Sequence, residues 1–205
     1  MKIICVGLNY ATHNKELQHT LINTEPTIFM KSEVSVLKDG KPFYLPDFSS
    51  EIQYETEVVV KIGRLGKSIG KRFAHRYYDE VTVGIDVTAR DLQRKLRDTG
   101  MPWELSKSFD HSAVVGKFVR LYDHKLNINR LSFHLDINGI TVQEGNTQDM
   151  LFKTDEIIEY VSRFVTLKMG DLIYTGTPAG VGNLNIGDRV EGYLESNKLL
   201  DFCIK

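Results

Sequence analysis

Apolar and polar positions alternate with a period of two through much of this chain, the pattern of strands that bury one face. The opening IICVG reads as a first strand, and the polar NYATHNKELQH after it has room for one or two helical turns, on which His13 and Glu16 share a face at i and i+3. From residue 21 to 50, Pro26, Pro42 and Pro46 punctuate β-rich fragments such as TIFMK and SVLKDGKPFYL, which predicts short strands joined by turns around Asp39-Gly40. Tyr54 to Ile62 reads as a strand, and RFAHRYYDE sets Phe73, Ala74, Tyr77 and Tyr78 at spacings that cover one side of a helix. In VTVGIDVTARD, Val81, Val83, Ile85 and Val87 alternate with Thr82, Gly84, Asp86 and Thr88, so Asp86 points away from the valines. DLQRKLRDTGMPW reads as a helix stopped near Gly100 and Pro102.

Further along, LSFHLDINGITVQEG places Asn138-Gly139 between two β-like arms, a strong hairpin signal. TDEIIEYVSRFVTL is the clearest helix, with Thr154 as N-cap and Ile157, Ile158, Val161, Phe164 and Val165 as one apolar stripe. The strand DLIYTG, a glycine-rich turn TPAGVGNLNIGD and two more strands close the chain. No repeat or flexible linker interrupts it, so residues 1–205 are expected to form a single α+β domain, mostly β, built on a mixed sheet or barrel with about three helices.

Composition narrows the partners. The chain has 205 residues, 41% of them hydrophobic, enough for one substantial core. Its 26 basic residues nearly cancel 27 acidic ones without a cationic run, which leaves no footprint for nucleic acid or an anionic membrane and favours a small molecule. Only Cys5 and Cys203 are present, too few for a disulfide framework or a cysteine zinc site, so a reducing cytoplasm is expected. The apolar run at the N-terminus is too short for a signal segment or a membrane span.

The candidate chemistry lies in YETEVVVKIG. Glu55 and Glu57, two apart in a strand, stand side by side about 6.6 Å from each other along the axis. In a partly dehydrated place two such carboxylates repel, and a shared divalent cation relieves the conflict. Asp86, on the polar face of a second apolar strand, offers a third oxygen. Three carboxylates without cysteine or a neighbouring histidine suit Mg²⁺ or Mn²⁺ rather than zinc. Spacing alone equally suits a solvated acidic face. GRLGKSIGK is not a P-loop, because position 61, where the motif needs glycine, is Lys.

Taken in order, NYATH, FMKS, YETEVVVKIG, GIDVTARDLQ, PWELSKSFD and GDLIYTGTPAGVG resemble the fumarylacetoacetate hydrolase family from about Val6 to Gly182, with its short acylpyruvase and oxaloacetate decarboxylase branch the nearest in pattern. The resemblance implies a distorted mixed β-roll with peripheral helices, usually paired as a homodimer, and a metal held by Glu55, Glu57 and Asp86. It implies a lysine, Lys107, beside the substrate, and a pair, His13 and Glu16, that activates water from a lid helix and need not sit at the metal when the site is empty. Arg90 and Gln93 would contact the substrate, Arg90 being equally suited to a structural ion pair; the Thr177 hydroxyl and backbone N–H would meet its carboxylate, with Gly176 allowing close approach; Lys31 would be a pocket lysine. The activity implied is metal-dependent C–C cleavage of a small 2-oxo acid, by acylpyruvate hydrolysis or oxaloacetate decarboxylation. Alternatives are a hydratase or isomerase of a 2-hydroxy-dienoate and a non-catalytic carboxylate binder on the same fold. HSAVVGKF and EGYLESNKLLDFCIK carry little of the motif, so specificity for the substrate tail stays open.

Overall fold

A computed structural model describes residues 1–16 and 24–205, the side chain of Glu16 excepted. Its largest element is a curled half-barrel sheet. The strands run in the order Thr27–Lys31, Ile3–Gly7, Leu172–Tyr174, Thr56–Ile62, Tyr78–Asp86, Ala113–Val115 and Val36–Leu37, with Val119–Arg120 also paired to Tyr78–Asp86. Two of the pairings are parallel, Ile3–Gly7 with Leu172–Tyr174 and Val36–Leu37 with Ala113–Val115, so the sheet is mixed. A second sheet of four strands, in the order Ile140–Asn146, Ser132–Ile137, Arg189–Leu194 and Asn197–Cys203, includes the expected hairpin. Its turn has φ of 54° at Asn138 and 78° at Gly139, the left-handed pair that this sequence tolerates. Short helices lie outside the sheets, and the expected mostly β, α+β architecture is what forms.

The strand Thr56–Ile62 explains the core. Val58, Val60 and Ile62 enter the main apolar cluster, whereas Val59 enters a smaller one with Ile3, Cys5 and Tyr174, so both faces of the strand are covered. Glu57 shares the face of Val59 and is only 1% exposed. A solvated acidic face is therefore ruled out.

One expectation needs correction, and it bears on the site. The strand read from Tyr54 to Ile62 is two strands, Ile52–Tyr54 and Thr56–Ile62, with Glu55 between them. Ile52–Tyr54 pairs with Gly182–Asn183 and Thr88–Ala89 in a third, three-stranded sheet, whereas Thr56–Ile62 belongs to the large one. The neighbouring chain makes the same transfer, from Tyr78–Asp86 to Thr88–Ala89. Glu55 and Asp86 thus lie where two adjacent strands leave one sheet for another, locked by the Asp86 N–H donating to the Glu55 carbonyl at 2.8 Å.

Elsewhere the differences are local. The helix through Phe73 is the single turn Lys71–Ala74; the Tyr77 carbonyl accepts from Gly63 N–H, and Tyr78 opens a strand opposite Ile62. Of SVLKDGKPFYL only Val36–Leu37 is a strand, and Phe43 adds one bridge to Ile204. In the helix Thr154–Phe164 the N-cap is Lys153, whose N–H donates to the Glu156 carboxylate at 2.8 Å, and Phe164, at the last turn, is 65% exposed.

The helix Arg90–Asp98, which carries two expected site residues, is pinned at its start by Asp91. That carboxylate accepts from Ser49 Oγ at 2.6 Å, from Ser50 N and from Leu92 N. Burial pushes its pKa up, but these hydrogen bonds outweigh burial and hold it at about 2, below the usual 3.8. A depressed folded-state value stabilises the protein above the unfolded value and is lost as the pH falls through the folded one. Asp91→Ala is therefore expected to lower stability at pH 7 by about 1 kcal/mol, the scale of lost hydrogen bonds. In thermal melts its gap to wild type should narrow as the pH falls from 3.8 towards about 2.

Candidate active site

Glu55, Glu57 and Asp86 are all buried, and one carboxylate oxygen from each lies within 4.8 Å of the others. Each is held by its own brace. Glu57 Oε2 accepts from the Gly176 backbone N–H at 2.6 Å. Gly176 has φ of +100°, and a Cβ there would lie 2.7 Å from Asn9 Cβ, so this approach requires glycine. Glu55 is ion-paired to Arg90 Nη2 through Oε1 and to Lys107 Nζ at 2.8 Å through Oε2. Asp86 Oδ2 meets the same Lys107 ammonium at 2.8 Å.

Lys107 spends its third proton on Thr88 Oγ1, at 2.7 Å. Burial works against its charge, but Asp86 and Glu55 outweigh burial and raise its pKa, so it stays an ammonium. The three acids do not share one fate. Burial raises both glutamates; at Glu55 the charges of Lys107 and Arg90 outweigh it and hold the carboxyl well below the usual range. At Glu57, burial together with Asp86 and Glu55 pushes the carboxyl well above it. With no added cation, a proton on the cluster is favoured at Glu57 over Glu55, which eases the repulsion among the acids.

Whether the residues fit a divalent ion can be read from two features. One cation, the Lys107 ammonium, already bridges two of the three carboxylates. The second feature is Asp86 Oδ1, which lies 2.7 Å from Lys31 Nζ yet receives no aligned hydrogen bond. Lys31 gives its protons to the carbonyls of Val87, Lys107 and Ser112 instead. This buried oxygen therefore keeps lone-pair capacity, and an all-oxygen donor set suits a hard cation. The site fits Mg²⁺ or Mn²⁺.

A small cavity of about 30 Å³ joins the acids to His13, Phe29, Arg90, Gln93, Arg97, Trp103, Lys107 and Thr177. That is room for about one water. The helix Ala11–Glu16 lies beside it, and its His13, 4% exposed, lines the cavity. Asn9 anchors that helix: the side chain donates to the carbonyls of Thr175 and Phe152 and accepts from Phe152 N–H. Glu16 ends the helix, and its side chain lies outside the described residues.

The other expected residues are close by in altered roles. Arg90 is committed to the protein, donating to Gln53 at 2.7 Å and Gln93 at 2.5 Å as well as to Glu55, which is the structural ion pair. Thr177 donates its hydroxyl proton to the Thr56 carbonyl and accepts from Gln143, so the hydroxyl has no proton left for a substrate carboxylate. Lys31 sits behind Asp86, outside the cavity lining, and Gly176 serves Glu57. Gln53, Thr88, Gln143, Asn9, Trp103 and Arg97 were not picked out from sequence. Two carried a signal: Gln53 stands two before Glu55 and Thr88 two after Asp86, continuing each acid's alternation.

Comparison with known proteins accords with this geometry. Residues 2–200 match the model of the fumarylacetoacetate (FAA) hydrolase C-terminal family. A mouse (Mus musculus) protein named oxaloacetate tautomerase FAHD1, mitochondrial, is 37% identical over 99% of this chain and 91% of its own. The crystal structure of fumarylpyruvate hydrolase from Pseudomonas aeruginosa in complex with Mn²⁺ and pyruvate superposes with a TM-score of 0.93 at 31% identity, over 100% of this chain and 89% of that one. The 2-hydroxyhepta-2,4-diene-1,7-dioate isomerase of Mycobacterium marinum gives 0.85 at 30% identity, over 99% and 73%. None of the described helices is long and apolar enough to cross a membrane, and Cys5 and Cys203 are not in a disulfide. With a family match over nearly the whole chain and a buried acid cluster at its motif positions, the protein is an enzyme of the fumarylacetoacetate hydrolase family.

Proposed function

We propose that the enzyme cleaves a C–C bond in a small 2-oxo acid, hydrolysing an acylpyruvate or decarboxylating oxaloacetate, through an enolate formed beside Lys107. The observation that carries this reading is the buried triad of Glu55, Glu57 and Asp86 bridged by a lysine in a cavity that also holds His13. A divalent cation held by the triad would supply Lewis acidity towards the 2-oxo acid. Lys107, kept cationic by its neighbours and with its three protons held by Glu55, Asp86 and Thr88, stabilises negative charge gathering on the C2 oxygen through its charge as the bond breaks. Arg90, itself held by Gln53, and Gly176 fix the carboxylates rather than the substrate. The backbone N–H of Thr177 is the group this residue offers to a carboxylate. His13, at the lid, takes a proton from water as it attacks the distal carbonyl of an acylpyruvate. The C3–C4 bond then breaks, its electron pair forms the pyruvate enolate, and the acyl fragment leaves as a carboxylic acid. Oxaloacetate loses CO₂ by the same electron flow without the water.

A second reading, keto–enol tautomerisation of oxaloacetate, is favoured by the name of the mouse relative. The same parts serve it: His13 moves a proton at C3 while Lys107 stabilises the enolate. The Mycobacterium marinum isomerase supports a third use of the site, on a dienoate. The unpaired cysteines suit a reducing compartment, cytoplasm among them, and a homodimer belongs to the proposal as the family expectation.

Purified enzyme given acetylpyruvate or oxaloacetate should release pyruvate, lose this activity in EDTA and regain it with Mg²⁺ or Mn²⁺. Enol loss from oxaloacetate without pyruvate would select the tautomerase reading. Replacing His13 with Ala should slow acylpyruvate hydrolysis by about 10²-fold or more, and Lys107→Met should cost at least about 10²-fold in kcat. Unchanged rates in both variants would remove these residues from the mechanism.

Because burial and the neighbouring acids favour the neutral form of Glu57, Glu57→Gln, which mimics that form, should melt close to wild type. Mn²⁺ at about 100 times its Kd should stabilise wild type by about 2.7 kcal/mol and leave the variant nearly unmoved. An equal Mn²⁺ shift in both would place the ion elsewhere.

A further inference from the structure

We propose that the end of the large sheet away from the acids holds a second binding site, which takes an organic monoanion with an apolar chain. A cavity of about 890 Å³ opens there, the size of a small-molecule site, and it shares no lining residue with the acid cavity. Strand register places it. Lys61, Leu172 and Ile3 pair across three neighbouring strands, and two residues further along so do Val59, Tyr174 and Cys5. Glu57 lies two residues beyond Val59 on the same face. Lys61 and Leu172 line the cavity, so the fully buried layer of Val59, Tyr174 and Cys5 separates it from the acids. Along the strand Lys61 stands about 13 Å from Glu57, at about 3.3 Å per residue.

Much of the lining is apolar. Val115 and Leu172 belong to the smaller core cluster, and Val36 and Phe118 pack against it while staying half-buried. An occupant with a hydrocarbon chain would take the exposed part of Val36 and Phe118 out of water. Charge gathers around this apolar surface, and most of it is already balanced. Lys61 is paired with Glu80, Lys198 with Glu191 and Asp201, and the terminal ammonium of Met1 with Glu33. Among the described residues that line the cavity, Lys38, Lys117 and Asp39 have no ion-pair partner, and all three are exposed. Two cations against one anion leave a surplus of one positive charge, which suits a single anionic head. The apolar lining and the unbalanced lysines thus call for the two ends of one amphipathic ligand.

The test is calorimetric titration of the full chain with octanoate and with uncharged 1-octanol, on wild type, the double variant Lys38→Gln/Lys117→Gln and Val36→Trp. Wild type should bind octanoate about tenfold more tightly than 1-octanol, the scale of two exposed charge contacts. The double variant, altered only at exposed lysines, should lose that preference while its 1-octanol affinity stays within about twofold of wild type. Val36→Trp, which fills the apolar side, should weaken both ligands by about tenfold or more. No octanoate binding by wild type, or an unchanged preference in the double variant, would overturn the inference. So would sedimentation that shows wild type paired through this end, with either variant monomeric and octanoate unbound, since a second copy would then cover the cavity. Each of these results leaves the C–C cleavage reading in place, because no residue of the acid cavity is altered.

Discussion

Three acidic side chains are packed away from water at one point, and charge balance there constrains everything around it. Isolated buried carboxylates are far too costly to persist, so each must be paired, hydrogen-bonded or protonated. Glu55 is paired by Arg90 and Lys107, Asp86 by Lys107 and Lys31, and Glu57 accepts from Gly176 and is pushed by its surroundings towards the neutral form. Such clusters add little net stability over a well-packed apolar substitute, yet removing one member typically costs about 3–5 kcal/mol. The enzyme thus retains an arrangement that folding alone would not favour, and cation binding gives a reason for it.

The fold supplies this point by an irregularity. Two neighbouring strands leave the large sheet at the same level, one at Glu55 and one just after Asp86, and their continuations pair in a smaller sheet. At that seam the side chains of both strands converge instead of alternating away from each other. The short helix Glu104–Lys107 brings in the ammonium, and Lys31, fully enclosed, ties the Lys107 carbonyl to Asp86 from behind. On the other side Asn9, just before the helix Ala11–Glu16, bonds to Phe152 and Thr175, and that helix brings His13 to the same cavity as the acids.

Much of this was legible in the sequence, for identifiable reasons. Period-two alternation exposed Asp86 and the pair Glu55 and Glu57 as polar residues on apolar strands, and Asn138-Gly139 marked its hairpin without help. What alternation cannot express is a change of sheet: a strand broken at Glu55 and a continuous one have the same pattern, because Tyr54 and Thr56 are buried either way. The braces were hidden for a similar reason. Gln143, 34 residues from Thr177, fixes that hydroxyl, and Lys31, 76 residues from Lys107, binds its carbonyl, and nothing local marks such partners. The family resemblance singled out Arg90 and Thr177, and both line the cavity, but their hydrogen bonds turn both inward. Phe164 kept its place in the apolar stripe and still faces solvent, since its helix ends at that residue.

The central claim is that the three carboxylates form a single cation site. Titration of EDTA-treated protein with Mn²⁺, followed by electron paramagnetic resonance, measures this most directly. The account predicts one tightly held ion per chain, displaced by excess Mg²⁺ and lost when Glu55, Glu57 or Asp86 is replaced by its amide. No bound ion, or binding that survives all three replacements, would contradict it.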